Sequence, residues 1–149
     1  MSMPADISKL RTAQGIEQEL FLQPLASLVV RLSYDGRLER AWQRIESDYG
    51  DSDLTLDQVA ASSGASRNHL NVLFRRTVNF TFHQLLVRYR LARALEMMNA
   101  KNHNILHIAL ESGFGSINTF ERNCRVVLGA TPRDIRARQE KWRANQDFR

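Results

Sequence analysis

The chain has 149 residues, 43% hydrophobic and 25% charged, with 21 Lys and Arg against 16 Asp and Glu for a net charge of +5. That is enough apolar material for one packed domain, or two small ones sharing an element, and no run of about 18 apolar residues exists that would cross a membrane. The single cysteine, Cys124, excludes an intrachain disulfide, and no charged segment leads into an apolar run at the start, so a cytoplasmic location is expected.

The excess charge is unevenly spread. Residues 1–37 balance four basic side chains against four acidic ones. The surplus lies in 38–149, clustered as Arg75-Arg76, Arg88/Arg90/Arg93, Arg122/Arg125 and Arg133/Arg136/Arg138. Such clusters suit a polyanionic partner, although a solvated helix face can look the same.

Apolar residues recur at three and four rather than two, which predicts an all-α chain. Residues 1–37 read as an N-terminal helical extension or linker. After Pro24, residues Leu25, Leu28, Val29 and Leu32 form an apolar face that Asp35-Gly36 ends. Packing onto the main domain and homodimerisation are both open for it. A helix is predicted from Leu38 to about Tyr49, with Leu38, Trp42 and Ile45 on one face. Thr55 and Gln58 have the spacing of a capping box for a short helix that breaks at Gly64. Ser66 caps the next helix, with Leu70, Leu73 and Phe74 inward. Thr81 opens a long helix over 82–99, followed by a loop at 99–104. A short helix starts at Ile105 and ends at Gly113. Ser116 opens another to about Leu128, stopped by Gly129. Thr131-Pro132 places an N-cap before a proline at the first helical position, opening a last helix to about Trp142.

Two windows repeat. Leu56, Val59-Ala60, Gly64, Ser66, Leu70, Phe74 and Arg75 recur as Ile105, Ile108-Ala109, Gly113, Ser116, Phe120, Cys124 and Arg125. The offset is 49 as far as the glycine and 50 from the serine onward, so the second turn is one residue longer. Each slot has a physical reason. Ala60 and Ala109 let two steeply crossed helices touch. Gly64 and Gly113 accept left-handed backbone angles in the turn. The serine hydroxyl accepts a free amide of the second helix. Leu70 and Phe120 anchor that helix inward. These are helix-turn-helix units, and the helix between them, at 1.5 Å per residue, spans about 27 Å. Successive major grooves on one DNA face are about 34 Å apart, so one chain has the reach to place two recognition helices in adjacent grooves. The organisation is then 38–80 as first subdomain, 81–100 as connecting helix, 101–143 as second subdomain and 144–149 as tail.

Over about residues 38–142 the chain resembles the AraC/XylS transcription regulators. The resemblance rests on Arg90-Leu91 with Ala94, Ile108-Ala109 with Gly113-Phe114, Phe120 with Arg122, and Gly129-x-Thr131-Pro132 with Arg136. Departures are Asn79 for a frequent glycine, Phe82 for a frequent proline, Cys124 for a core phenylalanine, and Ile135 for an aromatic. The resemblance implies two homeodomain-like helix-turn-helix units on a long central helix. It also implies double-stranded promoter DNA as partner, RNA polymerase as a further one, and activation more than repression. It carries the family's base-contacting arginine onto Arg122.

Periodicity leaves Arg67, Asn68, Asn71, Val72, Arg75 and Arg76 outward on the first recognition helix. Asn68 and Asn71 suit adenine, Val72 a thymine methyl, and Arg75 and Arg76 phosphates. On the second, Ser116, Ile117, Asn118, Thr119, Glu121, Arg122 and Arg125 remain, with Phe120, Cys124 and Val127 inward. Arg122 suits guanine and Thr119 a phosphate. Ile117 suits either a thymine methyl or burial against the connecting helix.

His103, His107 and Glu111 fall at helical spacing, but the zinc protease motif and any cysteine pair are missing, so no metal or cofactor is expected. Cys124 occupies a core slot and reads as an inert thiol. No catalytic constellation appears. A protein-interaction module, such as an anti-regulator that keeps the fold without binding DNA, is the alternative. The acidic stretch from Asp48 to Asp57 and the presence of Glu121 would suit it.

Overall fold

The computed structural model describes residues 35–100 and 103–147. The apolar face at 25–32, and any dimer contact through it, lies outside them. Within the described residues the fold is all-helical. The elements are α1 (Gly36–Asp48), α2 (Leu56–Ser63), α3 (Arg67–Val78), α4 (Phe82–Asn99), α5 (Ile105–Glu111), α6 (Ile117–Asn123) and α7 (Pro132–Gln146).

Local sequence sets most of these boundaries. Thr55 with Gln58, Thr81 with Gln84, and Thr131 with Asp134 form complete capping boxes. Each satisfies two backbone N–H groups that have no partner inside the helix. Ser66 and Ser116 cap α3 and α6 through the amides of His69 and Thr119. Gly64 leaves α2 with φ 73°, and Asn79 leaves α3 with φ 61°. Asparagine is the side chain best suited to stand in for glycine there.

Three boundaries differ from the expectation. α1 begins at Gly36, two residues before the expected Leu38, because Asp35 caps it, its carboxylate accepting from the N–H groups of Arg37 and Leu38. The helix opened by Ser116 stays α-helical only to Asn123. Residues Cys124–Leu128 form a π-helical turn before Gly129. The change coincides with Asn123, whose side-chain amide donates to the Thr119 carbonyl at 2.8 Å, the acceptor its own backbone N–H would use. Finally, α7 runs on to Gln146.

Two apolar clusters form, and α4 serves both. Leu38, Trp42, Ile45, Val59, Leu70 and Phe74 pack with Leu85, Leu86, Tyr89 and Ala92 of α4. Ile108, Phe114, Phe120, Cys124 and Ile135 pack with Val87, Leu91, Ala94, Leu95 and Met98 of α4. Eleven of the 18 residues of α4 are buried, as a helix with a core on each side requires.

The junction between the halves is polar. Arg90 of α4 is 7% exposed. Its Nε donates to the Tyr49 carbonyl at 2.8 Å and its Nη2 to the Asp51 carbonyl at 2.7 Å. Burial pulls the Arg90 pKa down, and the nearby Asp51 charge pushes back. Gly113, with φ 86°, lies against the same loop: a Cβ there would come 2.0 Å from the Tyr49 oxygen. One turn of the second half is thus seated on the loop that follows α1.

Candidate nucleic-acid interface

In both halves a short helix, a turn and a second helix repeat the same construction. In the first, α2 and α3 are joined through Gly64 and capped by Ser66. In the second, α5 and α6 are joined through Gly113 and Gly115, both at positive φ, and capped by Ser116. The extra residue of the second turn makes room for Phe114, which is buried 5.1 Å from Phe120. Two further arginines hold the first unit together. Arg40 donates to the Ser63 carbonyl at the C-terminus of α2, and Arg44 to the Ser62 hydroxyl. A cation there complements the negative end of the helix. Periodicity had given neither arginine a role, since each partner lies on another helix.

On α3, Leu70 and Phe74 are buried, which turns Arg67, Asn68, Val72, Arg75 and Arg76 to solvent. Val72 is 50% exposed. Arg67 makes a long, exposed ion pair with Asp57 at 3.8 Å. The side chains of Arg75 and Arg76 form no hydrogen bond or ion pair among the described residues.

Asn71 has another partner. It is half-buried, and its Oδ1 accepts from the Phe82 N–H at 3.1 Å. Phe82 opens α4, so this N–H is one that the helix itself cannot satisfy. The bidentate pairing expected for Asn71 needs that oxygen, so in this geometry it is not available. An 11-residue separation hides the contact from any periodicity argument.

On α6, Phe120 and the following Cys124 are buried, and Asn118, Arg122 and Arg125 are exposed. Ser116 and Thr119 are half-buried. The Ser116 Oγ accepts from the Thr119 N–H at 3.1 Å and donates to the Thr119 Oγ1 at 3.0 Å. Ile117 is half-buried against the second apolar cluster. The Arg122 side chain forms no hydrogen bond or ion pair among the described residues, neither with Glu121 nor with another acid. Arg125 lies near enough to Asp134 to contribute to the lowering of that carboxyl's pKa, behind the larger effect of hydrogen bonds from Thr131.

Burial pushes the Cys124 thiol up to about 12, with the Glu121 charge adding to it, so it is no nucleophile. The His103 and His107 rings stack 5.0 Å apart. No group of three His, Cys, Asp or Glu side chains among the described residues is placed to hold a metal. Nor is any helix among them long and apolar enough to cross a membrane.

Two helix-turn-helix units mounted on one connecting helix, each with a cationic outer face, define a double helix-turn-helix domain. A family model described as a helix-turn-helix domain matches residues 59–138. The regulatory protein SoxS of Salmonella typhimurium is 33% identical over 88 residues, covering 59% of this chain and 82% of SoxS. The transcriptional activator AarP of Providencia stuartii is 30% identical over 79 residues, covering 53% of this chain and 58% of AarP. A solved transcriptional regulator from Chromobacterium violaceum, described as containing an AraC-type DNA-binding domain, superposes with a TM-score of 0.62 at 28% identity, over 69% of this chain and 91% of that one. The chain belongs to the AraC/XylS family of helix-turn-helix transcription regulators. It spans only 25–58% of the length of several curated relatives that it matches.

Proposed function

We propose that this chain binds double-stranded promoter DNA with α3 and α6 as recognition helices in adjacent major grooves, and regulates transcription by doing so. The observation that carries the reading is the duplicated unit whose second helix twice turns unpaired arginines outward, Arg75 and Arg76 on one side and Arg122 on the other. The 18-residue connecting helix is about 27 Å long, commensurate with one turn of the duplex.

In this reading Asn68 and Arg122 touch base edges and Val72 meets a thymine methyl. Arg67, Arg75, Arg76 and Arg125 hold phosphates, and Asn118 and Thr119 contribute from the start of α6. Asn71, Ser116 and Ile117 position the two helices rather than read sequence. Recruitment of RNA polymerase, and hence activation, is the accompanying proposal, supported by the relative named as an activator.

Selection from random duplexes at moderate salt tests this directly. The expected result is one enriched motif in two parts, centred about one helical turn apart, with binding that weakens steeply as salt rises. Failure to enrich any motif would instead favour a protein-interaction module built on the same fold.

A further inference from the structure

The two apolar clusters do not merge. Among the described residues the loop after α1 joins the halves in addition to α4, and the contacts onto it come from both sides. From α4, Arg90 donates to the carbonyls of Tyr49 and Asp51, while Arg93 donates to the Tyr49 hydroxyl at 3.3 Å. From the second half, Gly113 lies against the Tyr49 carbonyl, with no room for a side chain. A Cβ on Gly50 would come 3.2 Å from the Glu111 carbonyl, and one on Gly115 would come 3.3 Å from Ser52. The loop is itself anchored in the first half, where Tyr49 packs edge-on against Tyr89, and Tyr89 against Trp42.

Among the described residues, Arg90 is the only buried cationic side chain. A buried guanidinium is weak evidence for stability, because its desolvation offsets most of what its hydrogen bonds return. It does fix geometry, since a planar fork with two backbone acceptors tolerates little rotation. Without it, the loop would keep its packing against the second half and its Arg93 contact, but would lose the fork that fixes its orientation on α4.

We propose that Arg90 is a specificity-determining positioning residue: by locking the Tyr49–Asp51 loop between α4 and the Gly113 turn, it fixes the distance and rotation between α3 and α6, and so selects the spacing between the two half-sites. This rests on the two-groove reading above. A chain with the clamp accepts one spacing. A chain without it reads each half-site as before but discriminates less between spacings.

The test has two arms. The first needs no DNA. Spin labels are placed at Arg76→Cys on α3 and Asn118→Cys on α6, where both side chains are exposed; Cys124 is buried and stays unlabelled. The distance distribution is expected to be single and narrow with Arg90 present, to broaden or shift in Arg90→Met, and to recover part of its sharpness in Arg90→Lys. An unchanged distribution in Arg90→Met overturns the proposal. If Arg90→Met does not fold, Arg90→Lys, which keeps the charge but loses the fork, carries the comparison. The second arm uses unlabelled protein and the duplex recovered by selection, its isolated half-sites, and versions with one base pair added or removed between them. Arg90→Met is expected to lose at least tenfold on the native spacing, to change less than twofold on a half-site, and to show a smaller penalty for altered spacing. Equal loss on half-site and full site overturns the proposal. If the wild-type chain binds no duplex, the two-groove reading fails, and the label distances still decide whether Arg90 sets the geometry.

Discussion

Gly113→Ala and Gly129→Ala form a matched pair that isolates the contact between the halves. Both glycines are left-handed, with φ 86° and 69°. An L side chain in that region costs about 1–2 kcal/mol from backbone sterics. At Gly129 an added Cβ meets nothing within 4 Å, so that is the whole penalty. At Gly113 the Cβ would sit 2.0 Å from the Tyr49 oxygen, 2.7 Å from Arg90 Nε and 3.0 Å from the Tyr49 carbonyl carbon. The oxygen is backbone and held by Arg90, so the loop must withdraw and the Arg90 hydrogen bonds must stretch or break. Hydrogen bonds to a charged group are worth about 1.5–3 kcal/mol each, so losing one brings the total for Gly113→Ala to about 3–5 kcal/mol. Urea unfolding of both variants, followed by circular dichroism, measures the difference. If Gly113→Ala and Gly129→Ala lose the same stability within about 0.5 kcal/mol, the two halves do not press on each other as described.

Asp35→Ala should destabilise the chain by about 1 kcal/mol at pH 7 through loss of the α1 cap. The Asp35 carboxyl is held below its ordinary 3.8, chiefly by the Arg37 backbone N–H, so its contribution is complete above that value and fades as the pH falls through the lowered one. Thermal melts should therefore show wild type and variant converging in strong acid; a gap that persists there would mean that the carboxylate is not what caps the helix. Cys124 should resist thiol reagents at pH 8 and react on unfolding in urea; fast labelling of the folded chain would place the thiol outside the core. Arg122→Ala should cost about 1–3 kcal/mol of binding and relax one base position in the selected motif, whereas Arg75→Ala should weaken all duplexes alike and flatten the salt dependence. If Arg122→Ala also weakens every sequence equally, Arg122 grips phosphate instead.

What could be read beforehand was what is written locally. Thr81 with Gln84 fixes the start of α4, and the expected span 82–99 is the one found, because a capping box and a continuous apolar pattern lie within a few residues of each other. The same holds for the caps at Ser66 and Ser116 and for the breaks at Gly64 and Gly129. Contacts between distant residues stayed hidden. Asn71 shares the solvent-facing periodicity of Asn68, yet the folded chain brings the start of α4 to its oxygen. Arg90 reads as one more member of a basic cluster until the loop at Tyr49 arrives beside it. Asp35-Gly36 resembles a helix stop as much as a helix start, since the same residue types serve both ends. The π-helical turn coincides with a side chain that shares a carbonyl within its own helix, which no periodicity reveals.

The two-sided burial of α4 also constrains how such a domain can change over generations. Leu85, Leu86, Tyr89 and Ala92 belong to one cluster, while Leu91, Ala94, Leu95 and Met98 belong to the other. The two sets interleave along the helix, so inserting one residue anywhere within it would rotate everything downstream by about 100° and turn buried apolar side chains away from both clusters. Loops away from the Tyr49–Asp51 clamp and the Gly113 turn can drift in length at little cost. The connecting helix cannot, because a change in its length disturbs both clusters at once, whereas substitutions on the exposed faces of α3 and α6 leave both intact.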